Sequence, residues 1–231
     1  MNNHHVILGG MGPQASVQLH QLLLSLSSSG TERAPDEYPS ILHASLPVPD
    51  FIADKAAEKI AVAVINSACS TLPLSSAKSV GMACNTAHML LDRLDIPRHN
   101  FVSMIEAVTH QAEQMSFKKV GVLASPNTIR SGLYRNALAK VGIEVVEPNE
   151  SQIEELNQLI HEVISGSDAN TLRPELTEIA LSLQEKGADS ILLGCTELPL
   201  IGVDVTDIPV IDSLSALAKA MLAAHTTVNE V

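Results

Sequence analysis

Short runs of apolar and β-branched residues alternate with longer helical patterns along the whole sequence, and near Lys119 the alternation starts again. The first round reads His5–Leu8 then a helix over Ala15–Leu26, Ser40–Ser45 then Ala53–Leu72, and Ser79–Ala83 then Thr86–Leu94. That order predicts βαβ units, because parallel neighbours need a long crossover and a helix is its usual form. A short strand at Phe101–Ser103 and a helix over Ile105–Met115 close the round. The second round reads Lys119–Leu123, a helix over Thr128–Val141, a strand at Ile143–Val146, helices over Gln152–Ser165 and Pro174–Glu185, and a strand at Ser190–Leu193. A tail strand, Val210–Ile211, and a tail helix, Leu214–His225, are expected to pack back on the first half.

A repeat of roughly a hundred residues is too long for a solenoid and suits two similar lobes. The spacing inside each half agrees. From Val6 to Cys84 is 78 residues, and from Val120 to Cys195 is 75. Each opening strand runs into a turn, Gly9-Gly10-Met11-Gly12-Pro13 or Ala124-Ser125-Pro126-Asn127, and each of the two cysteines follows an apolar strand. The fold class expected is therefore α/β: two lobes of mainly parallel sheet flanked by helices, related by a pseudo-twofold, with the active site between them. Residues 1–103 with 209–231 form the first lobe and 104–208 the second. Ligands of parallel sheets bind beyond the carboxyl ends of the strands, where these two turns and the Thr-containing turns after the two cysteines are expected. The polar stretch Ser25–Glu37 reads as a surface loop.

Composition narrows the partners. Hydrophobic residues make up 45% and aromatics only 2%, with no Trp, so aliphatic side chains build the core and stacking platforms for bases are lacking. A net charge of -12 repels phosphate backbones and anionic lipid, so neither nucleic acid nor a membrane is an expected partner. A small anion remains compatible, because a helix N-terminus holds one whatever the overall charge. Three cysteines in no framework spacing, and no basic-apolar leader, point to the cytoplasm.

Cys84, in Ala83-Cys84-Asn85-Thr86-Ala87-His88, stands at a strand end one residue ahead of groups suited to an N-cap. Leu193-Gly194-Cys195-Thr196-Glu197 repeats the arrangement. A helix N-terminus favours thiolate over thiol. One cysteine after a strand is more often core filler; a matched pair in corresponding places asks for a shared task. Racemisation supplies one, since inverting a Cα needs a base on one face and an acid on the other, exchanging roles with direction. Donors to the substrate carboxylate would stabilise the carbanion, and Asn85, Thr86, Thr128 and Thr196 are candidates beside backbone N–H groups. Glu197 follows the second cysteine closely enough to orient a substrate ammonium. Cys69, Met82, Met104 and Met115 read as packing, and Glu106 and Asp212 as exposed cap residues or as further carboxylates able to orient the ammonium.

The blocks Gly9-Gly10-Met11-Gly12-Pro13, Met82-Ala83-Cys84-Asn85-Thr86-Ala87-His88 and Gly194-Cys195-Thr196-Glu197 resemble the aspartate/glutamate racemase family, nearest its aspartate racemase branch. Ser103-Met104-Ile105-Glu106, Phe117-Lys118-Lys119 and Pro209-Val210-Ile211-Asp212 extend the resemblance over nearly the whole chain. It implies an interlobe site, no pyridoxal phosphate or other cofactor, no metal, a small amino-acid substrate and a homodimer. By resemblance Cys84 and Cys195 are the acid/base pair, and Met11, Asn85, Thr86, Thr128 and Thr196 fall on substrate-binding turns. The family's aspartate racemases carry an arginine where this chain has Phe51 and a lysine near Ser165, cations implied to hold the side-chain carboxylate. Without them the expected substrate range is broader or less acidic than aspartate, unless His161, Arg130 or Lys55 substitutes.

Other chemistries fit less well. Gly10-x-Gly12-x-x-Ala15 matches a dinucleotide fingerprint, but no acidic residue closes a second strand at the right distance. Cys84 and His88 are four apart and could pair as nucleophile and base, yet such a hydrolase would not need Cys195. A related isomerase or decarboxylase acting on an activated acid, or a silent amino-acid-binding module, remain the alternatives.

Overall fold

The computed structural model describes residues 4–28, 33–49, 51, 55–205 and 207–224, with Lys55 described in its backbone only. The chain divides into two compact units, residues 1–104 with 214–231, and residues 105–213.

The first unit contains β1 (His4–Gly9), α1 (Pro13–Ser27), β2 (Ser40–Ser45), α2 (Lys55–Thr71), β3 (Ser79–Met82), a 3₁₀ segment (Thr86–Arg93) and β4 (Phe101–Val102). α3 (Met104–Gln114) opens the second, followed by β5 (Lys119–Leu123), α4 (Pro126–Arg130), α5 (Leu133–Ala139), β6 (Glu144–Val146), α6 (Glu150–Ile164), α7 (Ala169–Glu185), β7 (Ser190–Leu193), α8 (Leu198–Ile201) and β8 (Val210–Asp212); α9 (Ser213–Ala223) ends the described chain. Among the described residues each unit has one four-stranded sheet, in the orders β2-β1-β3-β4 and β6-β5-β7-β8. Every pairing is parallel. The second sheet thus repeats the first strand for strand, and the α/β class with two parallel sheets is as the sequence implied.

The central strands are mainly apolar because both of their faces are covered, and the buried polar pair His5 and Ser79, on neighbouring strands, are hydrogen-bonded to each other at 2.8 Å. In β1, Val6 and Leu8 face a core that includes Ala61 and Ile65 of α2, whereas Ile7 faces Leu19 and Leu23 of α1 and Leu214, Leu217 and Met221 of α9. Period two in the strand therefore sorts neighbouring residues onto two cores. Gly81 in β3 leaves room for Met221, whose sulfur lies where a Cβ would project. Met221 is fully buried. Met221→Ala is expected to cost the first unit about 2–5 kcal/mol, read by denaturant unfolding, because the space it leaves cannot fill from a rigid strand.

Some expectations change. The strand at Val210 pairs with β7, in the second sheet, and not with the first unit; only the helix after it joins the first unit. It is the counterpart of β4, the last strand of the first sheet. The helix expected over Thr128–Val141 is two helices, broken at Gly132 with φ 68°, a left-handed conformation that suits glycine. α7 starts at Ala169 and not at Pro174, because the Asp168 side chain accepts the Asn170 N–H and caps the helix; Pro174 falls inside it. The start expected for α2 at Ala53 lies outside the described residues. No helix among the described residues is long and apolar enough to cross a membrane.

Candidate active site

In the first unit three loops leave the carboxyl edge of the sheet side by side. Ala83 N–H donates to Leu8 O at 2.9 Å and Leu46 N–H to Gly9 O at 3.0 Å, so the turns after β1, β2 and β3 are held together. Gly10, at φ 92°, lies under Leu46 with no space for a side chain. Cys84 is 7% exposed and packs on the apolar cluster of Val6, Leu8, Val80 and Met82; Met11 and Phe51 are half-buried against the same cluster. Asn85 and Thr86 are buried beside it.

The expected cap at Asn85 is not formed. Its backbone is helical (φ -62°, ψ -50°), its side chain caps nothing, and the segment it opens is 3₁₀. A tight turn brings this about: Cys84 N–H donates to Met82 O at 2.9 Å. His88 holds that turn. Its Nδ1 is 2.8 Å from Cys84 O, and its Nε2 accepts the Met104 N–H at 3.0 Å, so Nδ1 carries the proton and donates. Burial drives the His88 pKa down to about 4, against smaller opposing contributions from the Cys84 and Asn85 carbonyls. A neutral imidazole with both nitrogens engaged is no base for the Cys84 thiol.

In the second unit the turns after β5 and β7 adjoin, with Gly194 N–H donating to Leu123 O at 2.7 Å. Ser125 caps α4, accepting the Thr128 N–H at 3.4 Å, and its hydroxyl donates to Thr128 Oγ1 at 3.0 Å. Cys195 is 7% exposed. Its Sγ donates to Glu197 Oε2 at 3.0 Å, and Thr196 Oγ1 donates to the same oxygen at 3.0 Å. Glu197 is itself only 5% exposed, so a buried carboxylate meets the thiol directly. It does not cap α8, the four-residue helix it precedes.

Cys195, Thr196 and Glu197 are thus one hydrogen-bonded group, with Thr128 on the adjoining turn; Cys84, Asn85, Thr86, Met11 and Phe51 share the first unit's loop edge. Of the cations considered as substitutes, Arg130 is held on the surface by Glu150 at 3.0 Å and Glu154 at 3.2 Å, and His161 is exposed. Ser165 is exposed at the end of α6. The Lys55 side chain lies outside the described residues.

Two rings were given no such place by the sequence reading. The sequence offers His88 as a partner of Cys84 at a spacing of four and gives Tyr134 no role. Tyr134 is 2% exposed, and its Cε2 lies 2.8 Å from where a Cβ on Gly194 would stand. Burial first, then Cys195 and Asp212, raise its pKa well above the ordinary value, so the phenol keeps its proton. In a chain with only two tyrosines and three phenylalanines, a lone aromatic two residues past Gly132 is the available signal.

A family model described as Asp/Glu/Hydantoin racemase matches residues 8–221. Over 228 residues the chain is 27% identical to the broad specificity amino-acid racemase RacX of Bacillus subtilis, covering 95% of this chain and 96% of that one. The solved aspartate racemase of Picrophilus torridus superposes with a TM-score of 0.81 at 28% identity, over 96% of this chain and 94% of its own. An aspartate racemase homologue from Pyrococcus horikoshii OT3 gives 0.76 at 25% identity, over 96% and 98%.

Proposed function

The chain belongs to the Asp/Glu/hydantoin racemase family, and from that premise we propose that it racemises free amino acids without a cofactor, Cys84 and Cys195 serving as the two bases. The observation that carries this is the pairing of thiols in a repeated fold: each cysteine is buried just past the third strand of its own sheet, β3 or β7, in the same strand order. A duplicated fold that keeps a thiol at both equivalent places has an acid for one face of a planar intermediate and a base for the other.

The thiolate of one cysteine takes the Cα proton. The electron pair of the broken C–H bond moves into the carboxylate, which Asn85, Thr86, Thr128, Thr196 and neighbouring backbone N–H groups stabilise. The S–H of the other cysteine delivers a proton to the opposite face. Each turnover exchanges the two protonation states, so the reverse reaction starts from the state the forward one leaves. Glu197 holds the S–H of Cys195 in place for delivery and steers the substrate ammonium.

Met11 and Phe51 support a substrate side chain less acidic than aspartate. Both pack on the apolar cluster that carries Cys84, and an aromatic ring there gives a carboxylate no counter-charge. The similarity to a broad specificity racemase agrees with this.

Incubation in deuterium oxide with aliphatic, hydroxylated, acidic and basic amino acids, without added cofactor, tests both parts. Deuterium is expected at Cα together with inversion by chiral chromatography, with neutral substrates within about tenfold of aspartate or faster, as a pocket of apolar contacts allows. No exchange with any amino acid would overturn the racemase reading; aspartate far ahead of every neutral substrate would overturn the breadth alone.

A further inference from the structure

We propose that His88 and Tyr134 are positioning residues for the two thiols, each binding its cysteine's turn to the segment through which the chain leaves that cysteine's unit. The inference rests on the two-thiol reading above and assigns the residues that set where each thiol stands.

The chain passes from the first unit to the second after Met104, and returns after Ser213. Both places are tied inward by one buried ring. His88 accepts the Met104 N–H on Nε2 and donates to Cys84 O from Nδ1, so a single imidazole spans the distance from the departing chain to the cysteine's own peptide. Its ring lies against Phe101 of β4, with centroids 5.9 Å apart, which leaves it little freedom to swing. Tyr134 does the equivalent in the second unit by different chemistry. Its phenol and the Ser213 hydroxyl share a hydrogen bond, and its ring edge fills the space that Gly194 leaves empty, immediately before Cys195. Ser213 is fully buried, so the bond is not shared with bulk water.

The two residues have no sequence kinship. His88 follows its cysteine by four residues; Tyr134 precedes its own by 61. Yet they occupy the same place in the logic of the fold, between a catalytic turn and a crossover. A filler needs only volume. These two also supply directed hydrogen bonds to the backbone or hydroxyl of a crossover residue, in sites where an unmet polar group is costly. A thiol displaced by a fraction of an ångström loses alignment with the Cα–H bond, and misplacement of about 1 Å can cost roughly 100-fold in rate.

Tyr134→Phe keeps the ring against Gly194 and removes only the hydroxyl. We expect kcat for racemisation to fall about 10- to 100-fold with KM within about twofold, since the thiol moves while substrate contacts stay. His88→Leu should do the same from the other side, and His88→Gln, which restores one donor and one acceptor, should recover most of the loss and stands in should the leucine variant fail to fold. The second measurement is the pH dependence of iodoacetamide labelling, read separately at Cys84 and Cys195 by peptide mass in a Cys69→Ser background. Tyr134→Phe is expected to shift the Cys195 profile and leave Cys84 alone; the His88 variants, the reverse. Wild-type kcat in Tyr134→Phe, or labelling that changes equally at both thiols, overturns the assignment and makes the rings core filler. If the wild-type chain racemises nothing, the functional reading falls, and the site-by-site labelling still decides the positioning.

Discussion

Cys84→Ser and Cys195→Ser, made singly, should each lower racemisation by about 10²–10⁴-fold, the range a positioned acid or base contributes. The exchange of sulfur for oxygen leaves the backbone bonds of both turns, Cys84 N–H to Met82 O and Leu198 N–H to Cys195 O, and a serine hydroxyl can donate to Glu197 as the Cys195 thiol does. What changes is the ease of carrying charge: a thiol is a far stronger acid than an alkyl hydroxyl. The two variants should differ in a way that a loss of folding would not mimic. With one thiol left, a proton can still be removed from one face and returned to it, so solvent deuterium enters one enantiomer without inversion. Cys84→Ser should wash deuterium into one enantiomer and Cys195→Ser into the other. Racemisation at the wild-type rate in both variants would exclude the two cysteines as bases, and wash-in with the same enantiomer in both would exclude their opposition across one Cα.

The repeat was legible because βαβ order leaves a period that survives substitution: apolar strands, covered on both sides, read as uninterrupted runs. Both cysteines stood out for the same reason, each closing such a run. Less legible was anything decided by a partner far along the chain. Val210 was read with the helix after it, although its strand completes the second sheet against β7, as Phe101 completes the first against β3. The cap at Asn85 failed because local propensity assumed an α-helix, whereas the turn between Met82 and Cys84 leads into a 3₁₀ segment. Ser125 does cap its helix, in a sequence with the same local signal. Glu197 could be placed near Cys195 from spacing alone, but only the turn shows its oxygen receiving both the thiol and the Thr196 hydroxyl. His88 and Tyr134 lie beyond that limit: their partners are a peptide N–H 16 residues away and a hydroxyl at the far end of the second unit.

Acid should expose His88 as a weak point of the first unit. Its imidazole takes up a proton only at about pH 4 when folded, against an ordinary 6.5, chiefly because burial disfavours the cation. A depressed value means that the unfolded chain binds the proton first as pH falls. The contribution is therefore whole above pH 6.5, shrinks through the interval below it, and is gone once the folded form is protonated near pH 4. The shift corresponds to about 3 kcal/mol across that window, a large share of the stability of an ordinary domain. The measurement is a difference, which isolates this one group: denaturant unfolding of the wild type and of His88→Gln at successive pH values. The wild type should lose stability relative to the variant by about 1.4 kcal/mol per pH unit over the middle of the window, one proton's worth. The direction follows from the geometry as much as from burial. Nε2 accepts the Met104 N–H, so a proton placed there would face a donor, and acidification must break the tie between Cys84's turn and the crossover before it can charge the ring. A constant difference between the two proteins from neutrality to pH 4 would mean that the imidazole charges in place without cost, and would remove His88 from the set of residues that hold the first thiol.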